Sequence, residues 1–191
     1  RSPQQILDDL EKGGMGAMGS MGSMGQMDHG GSLLGGDAGD VTYPYYLING
    51  RSSDAPMTLT AKPGQRVRVR FVNAGTDTAF RVALGGHRMI VTHSDGFPVV
   101  PVPADALLIG MGERFDITLT LGDGVFPLVA AAEGKNGRGL AVVRTSPGRA
   151  PAAGVGVPEL NRRVLLGTDL RLSIDADLQR ALIGGGFTGP L

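Results

Sequence analysis

Charged and apolar side chains alternate strictly along residues 66–71, one residue after a Pro-Gly pair at positions 63 and 64. The charged positions are Arg66, Arg68 and Arg70, and the apolar positions are Val67, Val69 and Phe71. A period of two over this length predicts a half-buried strand with one apolar and one wet face. Because the charge of the whole chain is balanced, we interpret the arginine face as solvated or as a contact surface for another domain.

The same cycle of an apolar run followed by a turn repeats along the chain and predicts about nine short strands. An Asn49-Gly50 turn is expected to close the first strand, and the strands at 80–84 and 89–93 are expected to pair across Gly85-Gly86. Prolines interrupt residues 99–102, which therefore suit an edge strand or a connection. We place the other strands at 41–51, 57–60, 66–72, 107–109, 115–121, 125–132 and 140–143. This pattern predicts an all-β, antiparallel β-sandwich or small barrel.

The flanking segments differ from this centre. Residues 2–12 predict a short helix with Ser2 as its N-cap, followed by a Gly- and Met-rich arm that we interpret as flexible. The tail is extended and ambiguous, because 175–183 fits a short helix as well as it fits irregular chain. It has too few apolar groups to fold alone, so we expect it to dock on the sandwich or to belong to something missing. The predicted organisation is 1–40 as helix and linker, 41–146 as the β domain, and 147–191 as a second linker.

Composition excludes several classes of function. Lys plus Arg and Asp plus Glu both number 18, so no charge excess points to nucleic acid. Cysteine is absent, which excludes disulfides, zinc–thiolate sites and a thiol nucleophile. No apolar run approaches the ~20 residues of a membrane span. The chain opens on Arg1 without a signal-peptide pattern, so we expect a processed or excised piece.

The arm carries an unusual methionine repeat in which a methionine occurs at every third position. The candidate soft ligands are Met15, Met18, Met21, Met24, Met27 and His29. Thioether sulfur suits Cu(I), and the histidine adds an imidazole. The alternative is a mobile linker whose methionines touch apolar neighbours or nothing.

Other chemistry-bearing residues favour structural roles. His87 and His93 are six residues apart, too far to share a metal on a straight strand, and we expect them to bond to the backbone or to Asp95. No sequence context makes Ser94 the nucleophile of a hydrolytic triad.

Three charged residues, Glu113, Arg114 and Asp116, follow a Gly-Met-Gly turn and enter a predicted strand. We expect a bidentate carboxylate–guanidinium pair there that pins the start of the strand, rather than a catalytic group.

Four segments, in this order, resemble the second cupredoxin domain of three-domain bacterial multicopper oxidases, a family that includes laccases. They are 43–51, 63–74, the stretch from Gly86-His87 to 95–99, and 110–116. The resemblance covers about residues 43–145 and implies a cupredoxin-like Greek-key sandwich. In the family, copper ligands lie in the first and third domains, and electrons taken from a reductant reduce dioxygen to water.

The resemblance also implies what the domain lacks. Val129, Ala130 and Ala131 stand where the third domain has His-Cys-His, while Lys135 and Leu140 stand for the next histidine and the axial methionine. A further histidine cluster would fall at Arg81, Ala83 and Leu84, and His87 resembles a non-ligating histidine. The implied domain binds no type 1, 2 or 3 copper and spaces its copper-bearing neighbours.

We therefore expect a middle domain that is inactive alone, with the first and third cupredoxin domains of the parent chain as partners. Copper belongs to those missing domains, and the resemblance implies an extracytoplasmic location. A second copy of the chain, forming a homo-oligomer, is the other partner that we consider. The alternative function is a Cu(I)-binding or copper-tolerance module acting through residues 15–29. A carbohydrate-binding module fits less well, because aromatic content is 5% and tryptophan is absent.

Overall fold

The computed structural model describes residues 2–5, 7–8, 11–12, 33–34, 38–39 and 41–173. Two sheets face each other, one six-stranded with the order β1-β9-β8-β3-β6-β10 and one four-stranded with the order β2-β7-β4-β5. The strands are β1 (Met57–Thr60), β2 (Arg66–Val72), β3 (Phe80–Leu84), β4 (Met89–Ser94), β5 (Phe97–Ala104), β6 (Ala106–Ile109), β7 (Arg114–Thr120), β8 (Val125–Ala132), β9 (Arg138–Arg144) and β10 (Val164–Leu165). The predicted all-β sandwich is confirmed. Its two outermost pairings, β1 with β9 and β10 with β6, are parallel rather than antiparallel.

The strand predicted at 41–51 is wrong. Within it the structure has a single bridge between Ile48 and Arg51, closed by Asn49 and Gly50 with φ values of +49° and +75°. Those dihedrals fit the tight two-residue turn that the Asn-Gly pair predicts. Upstream of the turn, Pro44 cannot donate to a ladder, and the buried Tyr46 ring packs edge-on against Phe80 of β3.

The expected pairing of β3 with β4 is also wrong. β3 lies between β8 and β6, whereas β4 lies between β7 and β5 in the other sheet. A tight turn at Gly85-Gly86, in which the His87 N–H donates to the Leu84 carbonyl at 3.1 Å, carries the chain from one sheet to the other. Gly86 has a φ of +72°, a conformation that glycine adopts without strain.

β5 is the edge strand that its prolines predict. Its outer side is met by the tail, because the Val100 N–H donates to the Arg171 carbonyl and the Ser173 N–H donates to that of Pro98, both at 2.9 Å. The tail therefore docks on the sandwich as far as residue 173. The alternative helix at 175–183 lies outside the described residues.

Two apolar clusters hold the fold together. The larger one fills the space between the sheets around Phe115, Met89, Leu107 and Ile117, each at most 1% exposed. The second lies on the opposite, outward face of the six-stranded sheet, as the period of two along a strand requires. We call it the outer cluster, and its buried members are Ala83, Ala106, Val129, Leu140, Val157 and Leu160. Val157 and Leu160 come from the tail, which includes a 3₁₀ helix at Pro158–Asn161.

The predicted N-terminal helix is seen where the structure describes it, at 3–5, 7–8 and 11–12. Ser2 caps it: its Oγ accepts from the Gln5 N–H at 3.2 Å, and the Gln5 side chain accepts from the Ser2 N–H at 2.8 Å. This reciprocal pair is a capping box. Among the described residues, no helix combines the length and apolar character needed to cross a bilayer.

Candidate functional site: the positions of the copper ligands

Three adjacent strands bring several of the expected ligand positions together. Val129 on β8 is paired with Ala83 on β3 and with Leu140 on β9. All three side chains are fully buried, and they form the centre of the outer cluster. The tail residues Val157 and Leu160 cover them. Aliphatic packing therefore fills this region of the sheet.

Side chains along β8 and β3 point alternately to the two faces of the sheet, which separates the remaining expected ligand positions. Ala130 and Leu84 face the core between the sheets, while Ala131 packs beside the outer cluster. The three side chains expected in place of His-Cys-His, at 129–131, therefore do not converge on one point. Their packing partners are apolar on both faces of the sheet.

Arg81 forms a buried ion pair instead of occupying a ligand cluster. Its guanidinium donates to both oxygens of Glu133, from Nε at 2.9 Å and from Nη2 at 2.6 Å. The Arg81 Nη1 also donates to the Leu160 carbonyl at 3.0 Å. The pair therefore ties β3 to the turn after β8 and to the tail helix. Bidentate geometry of this kind is the strongest form of side-chain ion pair.

Lys135 binds a ring of oxygens at the turn between β8 and β9. Its Nζ donates to Asp77 Oδ2 at 2.8 Å and to the Asp77 and Val41 carbonyls at 2.7 Å, and only 4% of the side chain is exposed. The backbone N–H of Val41, the first residue of the domain, also donates to Asp77 Oδ2 at 2.8 Å. The ammonium thus anchors the start of the domain to this turn.

These residues do not fit copper. Alkyl groups, a guanidinium and an ammonium replace every imidazole, thiolate and thioether that the resemblance would require, and none of them can donate an electron pair to a metal. Both cations already have oxygen partners. No step of copper chemistry is therefore assigned to the side chains at 81, 83 and 84, or to those at 129–131, 135 and 140.

His87 and His93, the two histidines among the described residues, hydrogen-bond to nearby protein groups. His87 donates from Nδ1 to the Gly85 carbonyl at 2.8 Å and accepts from the Gly122 N–H at Nε2 at 2.9 Å. These partners require the neutral imidazole with its proton on Nδ1. His93 Nδ1 lies 3.2 Å from Thr92 Oγ1 and 3.3 Å from Arg68 Nη2.

Asp116 forms a bidentate pair with a guanidinium, but the cation is Arg70 of β2 and not Arg114, as the sequence had suggested. Asp116 accepts from Arg70 Nε at 2.7 Å and Arg70 Nη2 at 2.9 Å, and also from Arg68. The hydrogen bonds from Arg70 lower the pKa of Asp116 from 3.8 to about 2, against the opposing effect of burial. Two of the three arginines of β2 are therefore not simply solvated.

Glu113 and Arg114 have separate partners. Glu113 Oε2 accepts from the Gly110 N–H at 2.6 Å, which closes the Gly-Met-Gly turn. Arg114 donates from Nη2 to the Asp95 carbonyl at 3.1 Å, and its own N–H donates to Asp95 Oδ1 at 2.9 Å. Each contact fixes a turn beside β7. The candidate ligands Met15 to His29 lie outside the described residues.

Comparison with known proteins identifies the class. The multicopper oxidase family model matches residues 31–148. The chain is 51% identical over 167 residues to the multicopper oxidase MmcO of Mycobacterium tuberculosis, a match that covers 86% of this chain and 33% of that protein. It is 35% identical over 133 residues to a copper resistance protein A homolog of Pseudomonas syringae pv. tomato, covering 70% and 22%. The solved structure of the multicopper oxidase mgLAC superimposes with a TM-score of 0.50 at 29% identity, covering 56% of this chain and 37% of that one.

The fold is thus a cupredoxin-like sandwich. The chain belongs to the multicopper oxidase family. It spans about a third or less of the length of these two curated relatives, 33% and 22%.

Proposed function

We propose that residues 41–146 are the middle cupredoxin domain of a multicopper oxidase, and that this domain binds no catalytic copper but spaces and orients copper-bearing domains on either side. The observation that carries the proposal is the chemistry at positions 129–140, where Val129, Ala130, Ala131, Lys135 and Leu140 stand for a full ligand set. Residues 1–40 and 147–191 are then the linkers toward the first and third domains.

The parent protein would oxidise phenolic or metal-ion substrates and reduce dioxygen to water, outside the cytoplasm. Copper would be held by the neighbouring domains and would supply the electron transfer there. The residues of this chain would contribute rigidity. The Arg81–Glu133 and Lys135–Asp77 pairs brace the turns at one end of the sandwich, where a neighbour must be held in a fixed register.

Exposed apolar side chains offer surfaces on which such neighbours could pack. Tyr45, Phe97, Val72, Leu47 and Met111 are each more than half exposed. If the same surfaces join two copies of this chain, a homo-oligomer results. Sedimentation velocity of the purified chain distinguishes the two cases, since a spacer that needs different partners remains monomeric.

The proposal is tested with an oxygen electrode. The 191-residue chain is loaded with copper, desalted, and mixed with a phenol or with Cu(I), alongside MmcO as a positive control. We expect no oxygen consumption above the rate without protein, because the side chains at 129–131, 135 and 140 offer copper no donor. Copper-dependent oxygen consumption by the chain alone would contradict the proposal.

A second function is favoured by the methionine repeat and by a relative named as a copper resistance protein. In this proposal, Met15, Met18, Met21, Met24, Met27 and His29 bind Cu(I) and deliver or sequester it. Competition with a coloured Cu(I) chelator measures the affinity. Replacing the five methionines by leucine should abolish binding, while the matched change of Met57 and Met111 should leave it intact; equal affinity in both variants would contradict this role.

A further inference from the structure

A cavity of about 170 Å³ lies between the two sheets, where the edge strands β1 and β2 line the same side of the sandwich. Its inner wall is formed by Leu84, Met89, Ile117 and Leu128, each at most 6% exposed. The cavity is separate from the outer cluster and from the positions of the expected copper ligands. Nothing in the spacer role requires it.

The side chains that line the cavity are almost all apolar and offer water few hydrogen-bond partners. Twelve of the fourteen lining residues are apolar, and the other two, Thr60 and Gln65, are exposed residues at its rim. Gln65 already uses its side-chain oxygen to accept from the Lys62 N–H at 3.0 Å. A buried water needs two to four polar partners, and an uncompensated polar or charged ligand loses its hydration. An uncharged apolar ligand is therefore the kind that this wall favours.

The size of the cavity limits the ligand further. An engineered protein cavity of about 150 Å³, lined by Leu, Ile and Phe, stays dry and binds benzene or xenon. The present cavity is slightly larger and is lined by the same kinds of side chain. It matches one aromatic ring or a short branched alkane, and it is too small for a fatty acid or a fused-ring compound.

The outer wall provides a route in from solvent. Alternation along β2 turns Val67, Val69 and Phe71 toward the interior, yet all three are only half-buried. Across the gap, Leu59 of β1 is 36% exposed. A fully packed sandwich would bury these side chains, so the interior is open between the two edge strands.

We propose that this cavity is a binding site for a small uncharged apolar molecule about the size of one aromatic ring. Binding buries the half-exposed faces of the β2 side chains and fills space that the sandwich leaves unpacked, and both effects favour the complex. Because β1 and β2 belong to different sheets and both line the cavity, a bound molecule also contacts both sheets at this edge.

Benzene is the probe for the test. Methyl resonances of the isotopically labelled 191-residue chain are followed by NMR as benzene is added up to its solubility, and thermal unfolding is recorded in parallel. We expect saturable shifts confined to lining residues such as Leu84 and Leu128, and a rise in the unfolding midpoint of roughly 1–3 °C.

Two variants locate the site. Val69→Phe fills the cavity from its wall and Leu59→Phe fills it at the rim, so each should abolish the saturable shifts. Val72→Phe is the matched control, since it adds the same atoms on the same strand but on the exposed face. If Val69→Phe fails to fold, Leu59→Phe decides the question. Absence of saturation in the unmodified chain, or equal benzene binding by a folded cavity-filling variant and by Val72→Phe, would overturn the proposal.

Discussion

Asp116 of β7 and Arg70 of β2 face each other across an antiparallel register pair, joined by two hydrogen bonds of 2.7 and 2.9 Å. The side chain of Asp116 is 6% exposed, whereas that of Arg70 is 67% exposed. The arrangement holds a buried charge on the outer face of the four-stranded sheet with a cation that remains in contact with water. His93 is the next residue in the same row of the sheet, paired with Asp116 from β4.

Asp116→Asn should destabilise the domain by about 1–3 kcal/mol at pH 7, measured by urea unfolding. The reason is that it removes the negative charge to which Arg68 and Arg70 donate hydrogen bonds. The pKa of Asp116 is lowered in the folded state to about 2, so its contribution is complete above the unfolded value near 3.8. The contribution is lost as the pH falls toward 2. The stability difference between the two proteins should therefore shrink between pH 4 and pH 2.

Asp123→Asn provides the matched control, since this residue is exposed in the turn between β7 and β8. Its effect should stay within about 0.5 kcal/mol at either pH. A difference for Asp116→Asn that is the same at pH 7 and pH 2.5 would show that the ion pair does not carry the stabilisation.

Lys135→Met should cost about 2–3 kcal/mol of unfolding free energy, because it removes the cation between Asp77 and two backbone carbonyls while keeping most of the length of the side chain. Hydrogen exchange should also speed up at the Val41 amide, which is tied to the same carboxylate. Lys62→Met, at an exposed lysine, serves as the comparison. If both variants have the stability of the unmodified chain, Lys135 does not anchor the start of the domain.

Leu160→Ala should lower stability by about 2–3 kcal/mol in chemical denaturation, because Leu160 of the tail closes the outer cluster at 8% exposure. Leu172→Ala makes the same chemical change on the same tail at a side chain that is 58% exposed, and it should cost less than about 0.5 kcal/mol. Equal losses for the two variants would mean that the tail is not part of the packed domain.

Gly137→Ala should destabilise the chain by about 2 kcal/mol more than Gly96→Ala, as seen in thermal unfolding. Both glycines have a positive φ, +146° and +90°, so both substitutions strain the backbone. Only at Gly137 would the new Cβ overlap a buried ring, that of Tyr46, whereas nothing lies within 4 Å at Gly96. A similar cost at both positions would rule out close packing of Tyr46 on this turn.

Local patterns were enough to predict most strands. The alternation of 66–72 and the apolar run of 125–132 match β2 and β8 residue for residue. The pairing of the strands was harder to predict, because a Gly-Gly turn has the same sequence whether it closes a hairpin or connects two sheets. The expected pairing of β3 with β4 failed for that reason.

The charged networks needed information that spacing does not contain. Arg81 and Glu133 are 52 residues apart, and Lys135 and Asp77 are 58 apart, so only the register of β3 with β8 brings the first pair together. The interpretation of the arginine face as solvated or domain-contacting missed the bond from Arg68 to Asp116, because that aspartate lies 48 residues downstream. The sequence did contain a hint in three arginines on one face and a lone aspartate within an apolar strand.

The central claim, that this domain lacks a catalytic copper site, is tested most directly by titrating the 191-residue chain with Cu(II) and recording visible and electron paramagnetic resonance spectra after desalting. The account predicts no intense blue absorption and no protein-bound Cu(II) signal from positions 129–140, with spectra unchanged in Lys135→Met. A stoichiometric blue centre, or a Cu(II) signal that changes on substitution at Lys135 or Leu140, would contradict it.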